Sequence, residues 1–176
     1  MMDKINSQHN PLHNSLHNTL HNHIRIQEND FNVGDEHTAL QQDAPSIGAI
    51  VTFTGLVREF TKGEDTQLFL EHYPAMTEKV LNNIVKQATQ RWGIISTRII
   101  HRIGHLSLGE QIVFIGVNSP HRADAFAAAT FIMDFLKTDA PFWKKEITPK
   151  GEAWVDAKDS DASARKHWLD NTERTL

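Results

Sequence analysis

The sequence contains no cysteine. That absence excludes disulfides, thiolate catalysis, cysteine-type zinc sites and iron–sulfur ligation together. A basic excess is also lacking: 18 Lys and Arg stand against 22 Asp and Glu, for a net charge of −4. A general nucleic-acid binder would show the opposite balance. A local basic site on an acidic background stays open, because steering depends on where charges sit rather than on their sum. No run approaches the roughly 20 apolar residues of a membrane helix, and the opening MMDKINSQHNPLHN has no apolar signal-peptide core. The expectation is a cytoplasmic protein of one domain, since 176 residues suffice for a hydrophobic core. P-loop, GxGxxG and Ser-His-Asp patterns are absent.

What is present divides into three stretches. Residues 1–22 carry the repeat L-H-N at 12–14, 16–18 and 20–22. A period of four would align histidines for a shared metal, but the Asn, Ser and Thr content and Pro11 favour an unstructured tail. No acidic residue stands among the repeats to complete a ligand set. From residue 23 the pattern becomes globular, and the domain is taken as 23–165 with a C-terminal tail at 166–176.

Within that domain, residues 23–27 alternate as a short strand, and 31–36 form a turn into a short helix. Residues 47–53 read as a buried, β-branched strand, and 58–65 (REFTKGED) as a polar loop with a mobile tip. A strand at 67–73 ends at Pro74. Residues 76–92 place Val80, Leu81, Ile84, Val85, Ala88 and Trp92 at helical spacing. Strands at 95–103 and 111–118 flank the turn GHLSLGE. A helix then starts at SPHR, with Ser119 as cap and Pro120 as first helical residue. Phe126, Ala129, Ile132, Met133 and Leu136 point inward, and the helix stops before Pro141. Residues 140–147 are extended, TPKG at 148–151 turns, and 152–155 return. From residue 47 the order is β-β-α-β-β-α-β-β, an α+β fold with mainly antiparallel pairing.

The chemistry-bearing residues cluster in LKTDAPFWKKE (136–146). Lys137 closes a helix, where a cation complements the dipole without any functional role. Lys144 follows the Pro141 reversal. Alternation puts Trp143, Lys145 and Ile147 on one face, read as the core face, and Phe142, Lys144 and Glu146 on the other. Two readings stay open: solubilising ends of a helix and a strand, or two cations converging on one anion. Converging ammonium groups lower each other's proton affinity, which suits acid–base work near neutral pH. His121 and Arg122 sit in a helix's first turn, where free N–H groups attract anions. Arg58 opens the polar loop. His72, His101 and His105 are read as packing or bonding locally. Together these residues point to an anionic, phosphorylated small molecule.

The stretches VTFTGLVR (51–58), LEHYPAMTEK (70–79), HRIGHLSLGEQIVFIGVNSPHR (101–122) and FIMDFLKTDAPFWKKE (131–146) closely resemble the large, catalytic subunit of molybdopterin synthase, the MoaE family. The resemblance runs from about 23 to 165 and omits the histidine-rich tail. It implies an α/β-hammerhead fold and a homodimer within a heterotetramer. It also implies a small ubiquitin-like partner whose C-terminal Gly-Gly carries a thiocarboxylate. Sulfur passes from that partner to cyclic pyranopterin monophosphate, making the dithiolene of molybdopterin. The step implies no cofactor and no metal, and the absent cysteine fits because sulfur arrives on the partner. By motif, Lys137 and Lys144 match the family's catalytic lysines. Leu56, Val57, Arg58, His121, Arg122, Lys145 and Glu146 match positions around the substrate. Two departures stand out: Lys158 replaces an expected arginine, losing the bidentate fork, and Leu56 replaces a lysine of some relatives. The competing reading is a non-catalytic scaffold for a ubiquitin-like partner or a phosphorylated ligand.

Overall fold

Strands β4 (Ser96–Arg102) and β6 (Gln111–Ser119) are buried almost throughout, and the rest of the molecule is built on them. A computed structural model describes residues 21–59, 66–155 and 159–170. Expectations for the histidine-rich stretch up to residue 20, for the loop tip at 60–65 and for Lys158 fall outside those residues. Sheet A has the order β1-β4-β6-β2, with β1 (His21–Gln27) parallel to β4 and β2 (Ala49–Leu56) antiparallel to β6. Sheet B has the order β5-β3-β7-β8 and is antiparallel throughout. Its strands are β3 (Gln67–His72), β5 (Gly104–Ser107), β7 (Phe142–Thr148) and β8 (Gly151–Val155). The α+β class with mainly antiparallel sheets is what the residues form.

Period-two alternation on β6 gives sheet A two apolar faces. Val113, Ile115 and Val117 pack under helices α2 (Met76–Arg91) and α3 (Arg122–Asp139), with Leu81, Ile84, Ile132 and Phe135 opposite. Phe114 points the other way, to Phe31 and Leu40 beside α1 (Val33–Gln42). Each such side chain contributes about 1.5–3 kcal/mol by leaving water. Gly116 makes room for this second layer, because a Cβ there would collide with Leu40 Cδ1. Asn32 caps α1 by accepting from the N–H groups of Gly34 and Asp35. Among the described residues, no helix is long and apolar enough to cross a membrane.

Several expectations are corrected. The strand foreseen at 47–53 begins at Ala49 and ends at Leu56, and it is half-exposed because it forms the edge of sheet A. The turn GHLSLGE contains β5, a four-residue strand between Gly104 and Gly109, both at positive φ. Ser119 is not the cap of α3. It is paired with Ala49 at the end of β6, so the chain enters the helix only at Arg122, with His121 as cap residue. Its hydroxyl donates to Gly93 O and accepts from His121 N. Phe126 is exposed, since the buried stripe runs through Ala125, Ala128, Ile132 and Phe135, one residue out of phase with it.

Two elements run across the positions expected as boundaries, 22/23 and 165/166. Asn22 belongs to β1, where its side chain accepts from Thr97 Oγ1. Helix α4 (Asp159–Asp170) crosses the second boundary. Trp168 lies 5.6 Å from both Trp92 and Phe131 and donates from Nε1 to Asp134. That indole and Arg165, which pairs with Asp139 and lies over the Phe135 ring, dock the last helix on α2 and α3.

Ala75, at the start of α2, holds φ 60 and ψ −43, the one non-glycine positive φ among the described residues. An L-residue pays steric strain there that glycine avoids. Ala75→Gly is expected to raise stability by about 1 kcal/mol, or about 2–4 °C in Tm. Calorimetry showing an unchanged or lower Tm would contradict the strain.

Candidate active site

The two sheets and the end of α3 enclose a cleft of about 580 Å³. Its rim is the end of β2 and the residues after it, including Phe53, Leu56, Val57 and Arg58. Val57 is 3% exposed and packs on Leu68, Leu70 and Leu106. Its N–H donates to Glu110 O and its carbonyl accepts from Gly109 N. The backbone is thus pinned one residue before Arg58, whose side chain is exposed at the cleft mouth. Leu56 stands half-exposed at the same rim.

Lys137 enters from the last turn of α3, and Lys144 and Glu146 from β7. The reversal after Ala140 brings helix end and strand to one space, and both lysines line the same cleft. Among the described residues, the cations Arg58, Lys137 and Lys144 and one carboxylate, Glu146, line it between walls of Leu68, Val113, Met133 and Leu136. Positive charge against low-dielectric walls concentrates field on an anion.

The face assignment of β7 was inverted. Lys144 pairs with the buried Leu70, and Glu146 with the buried Leu68, so the Phe142, Lys144 and Glu146 face turns inward. Trp143 lies outside at 49% exposure. Phe142 decides this orientation, stacking on the His101 ring with centroids 3.7 Å apart and planes at 13°. Lys145 goes outward with Trp143. There it bonds Glu152 at 2.9 Å and lies over the Phe69 and Trp154 rings at 5.4 and 5.1 Å. Those contacts account for it, and it does not line the cleft.

His121 and Arg122 do not line it either. They begin α3 while Lys137 ends it, and fifteen residues of helix at 1.5 Å each separate Arg122 from Lys137 by about 22 Å. Within one chain the anion-attracting helix start and the two-lysine cleft are separate places.

His101 was read as a packing histidine, and it packs, but it also forms part of the cleft wall. Its signal in the sequence is slight: one imidazole among the apolar residues of a central strand. Burial is the main cause that pushes its pKa down from 6.5 to about 4. Lys144 and His72 push the same way, against a hydrogen bond to Arg102 O that raises it. The unfolded chain accepts a proton that the folded chain refuses, so stability is full above about pH 6.5. It is lost as pH falls toward 4, by up to about 3 kcal/mol. Glu110, lowered chiefly by the hydrogen bond from Ser107 N, adds to acid sensitivity only below its ordinary value of 4.5. Urea titrations between pH 7 and 4 are expected to show this loss in the wild type. His101→Phe, which keeps a ring against Phe142, should flatten it. An equally steep loss in that variant would assign the window to another group.

A family profile described as MoaE protein matches residues 26–139. The molybdopterin synthase catalytic subunit of Escherichia coli K12 is 52% identical over 146 residues, covering 82% of this chain and 97% of that one. The solved structure of the molybdopterin biosynthesis MoaE protein from Burkholderia ambifaria MC40-6 superposes with a TM-score of 0.72 at 48% identity, covering 83% of this chain and 97% of that one. At 18% identity and a TM-score of 0.66 the same fold recurs in a complex of subunits 1 and 2 of molybdopterin-converting factor from Helicobacter pylori, covering 77% of this chain and 91% of that one.

Proposed function

This chain belongs to the MoaE family, and from that membership we propose how it works as a molybdopterin synthase catalytic subunit. Its cleft receives cyclic pyranopterin monophosphate together with the C-terminal Gly-Gly thiocarboxylate of a small ubiquitin-like partner. The observation that carries the reading is the convergence of Arg58, Lys137 and Lys144 on one apolar-walled cleft. Substrate phosphate and sulfur donor are both anions. As sulfur forms its bond to carbon, the carbon–oxygen bond to the cyclic phosphate breaks and charge moves onto the leaving phosphate oxygen. Fixed ammonium groups stabilise that charge without reorganising. Water then cleaves the carrier's acyl–sulfur bond and frees its carboxylate. One lysine also moves a proton, and Glu146 lines the same cleft.

The remaining resemblance-matched residues find their place through a second copy of the chain. His121 and Arg122 match positions around the substrate, yet stand about 22 Å from Lys137 in their own chain. In a homodimer the helix start of one protomer supplies its imidazole, guanidinium and free N–H groups to the cleft of the other. The assembly is then two catalytic chains with two small carriers. The deciding experiment is incubation of the purified chain with thiocarboxylated carrier and cyclic pyranopterin monophosphate, followed for dithiolene product. Carrier binding with no product from saturated complex would leave a scaffold instead of an enzyme.

A further inference from the structure

Among the described residues that line the cleft, one is an imidazole, His101, set apart from the cations and the carboxylate by its neutral ring. Only 4% of the residue is exposed, and its ring is fixed by two contacts. Phe142 stacks on one face, and Nδ1 lies 2.8 Å from the carbonyl of Arg102. A carbonyl only accepts, so Nδ1 carries the hydrogen, and in the neutral ring Nε2 carries the lone pair. Burial first, then Lys144 on β7 and His72 on β3, disfavour a second proton, against the hydrogen bond to Arg102 O. The cleft therefore offers a fixed acceptor set in an apolar wall beside Phe142, Val113 and Leu136, away from any need for negative charge.

These features divide the cleft by chemistry. A phosphate or thiocarboxylate brings only lone pairs and is drawn to Arg58, Lys137 and Lys144. A lone pair at Nε2 repels such groups and attracts N–H donors. We propose that His101 is a specificity-determining residue whose Nε2 accepts a hydrogen bond from a ring N–H or amino group of the bound pterin, seating the flat heterocycle against the Phe142 wall while the phosphate lies on the cations. The proposal rests on the reading of the cleft as the pyranopterin site and adds which end of the substrate goes where. A site built to bond an N–H discriminates strongly against analogues that lack it, because its own acceptor is then left unpaired.

Two substitutions separate this role from mere packing. His101→Asn places an amide N–H near the Nδ1 position and keeps a donor for Arg102 O, but removes the acceptor at Nε2. His101→Gln places its amide near Nε2 and loses the backbone bond. A packing role ranks Asn above Gln in activity and stability alike. The acceptor role ranks Gln above Asn: KM for cyclic pyranopterin monophosphate rises tenfold or more in His101→Asn and stays within about threefold of wild type in His101→Gln, with kcat little changed in both. Equal KM values, or the reverse order, would overturn the proposal. Should either variant fail to fold, the wild-type homodimer with ¹⁵N-labelled histidine decides. Substrate added without carrier, so that no turnover occurs, is expected to move the His101 Nε2 resonance upfield and leave Nδ1 unchanged. An unmoved resonance at saturation overturns the proposal. If the wild type makes dithiolene while the resonance stays still, only this assignment fails. A wild type that makes none brings down the underlying reading.

Discussion

Lys137→Ala and Lys144→Ala each lower the single-turnover rate by about 10²–10³, the usual cost of removing one preorganised electrostatic contact. Neither side chain is buried, so the fold tolerates both changes and Tm stays within about 1 °C of wild type. The two lysines come from different elements, a helix end and a strand, and meet only because the chain reverses after Ala140. Their separate origins allow the charge and proton roles to be told apart. Lys→Arg keeps the charge but offers a guanidinium that does not deprotonate near neutral pH. The lysine that moves a proton therefore loses nearly as much rate as Arg as it does as Ala, while the other recovers substantially. Near-normal turnover by either alanine variant under substrate saturation would remove that lysine from the chemistry.

How far the sequence revealed this cleft varies with the kind of signal. Helix α2 was legible because Leu81, Ile84, Val85 and Ala88 repeat at 3.6 residues and all are buried. Helix α3 was legible in extent but not in phase, since its small Ala125, Ala128 and Ala129 carry the buried stripe and the larger Phe126 misled. The inversion of β7 has the same origin. Size favoured Trp143 as the core residue, whereas the partner strand decides: Leu68 and Leu70 of β3 are buried, and they pair with Glu146 and Lys144. Pairing between strands distant in sequence cannot be read from one strand's own alternation. Helix α4 was missed because its packing rests largely on Trp168, without a repeating apolar stripe. His101 was passed over for a related reason. A buried histidine in a strand reads as packing, and only the cleft on its far side makes it more than that. The lysines are legible in the sequence because charge next to Pro141 and an aromatic pair is a local signal. The position of Arg122 relative to them is not local, and no spacing argument across one chain supplies it.

That separation sets up the second large effect. If α3 of one protomer serves the cleft of the other, two damaged chains repair each other when paired. Consider a mixed dimer purified through two different tags, one chain Lys137→Ala and the other Arg122→Ala. One of its sites combines both lesions. The other takes Lys137 from the Arg122→Ala chain and Arg122 from the Lys137→Ala chain, and is intact. The mixed dimer is expected to show about half of wild-type activity, whereas each parental homodimer carries a lesion in both sites. The assay belongs below KM, because a guanidinium holding phosphate in ground and transition states alike acts through KM. Under those conditions Arg122→Ala alone loses about 10-fold or more, a charge-assisted contact being worth about 1.5–3 kcal/mol. In a cis arrangement each chain of the mixed dimer carries its own lesion, so no site is whole and activity stays at the level of the parental variants. That result would confine the effect of Arg122 to its own chain and remove the second protomer's helix start from the cleft.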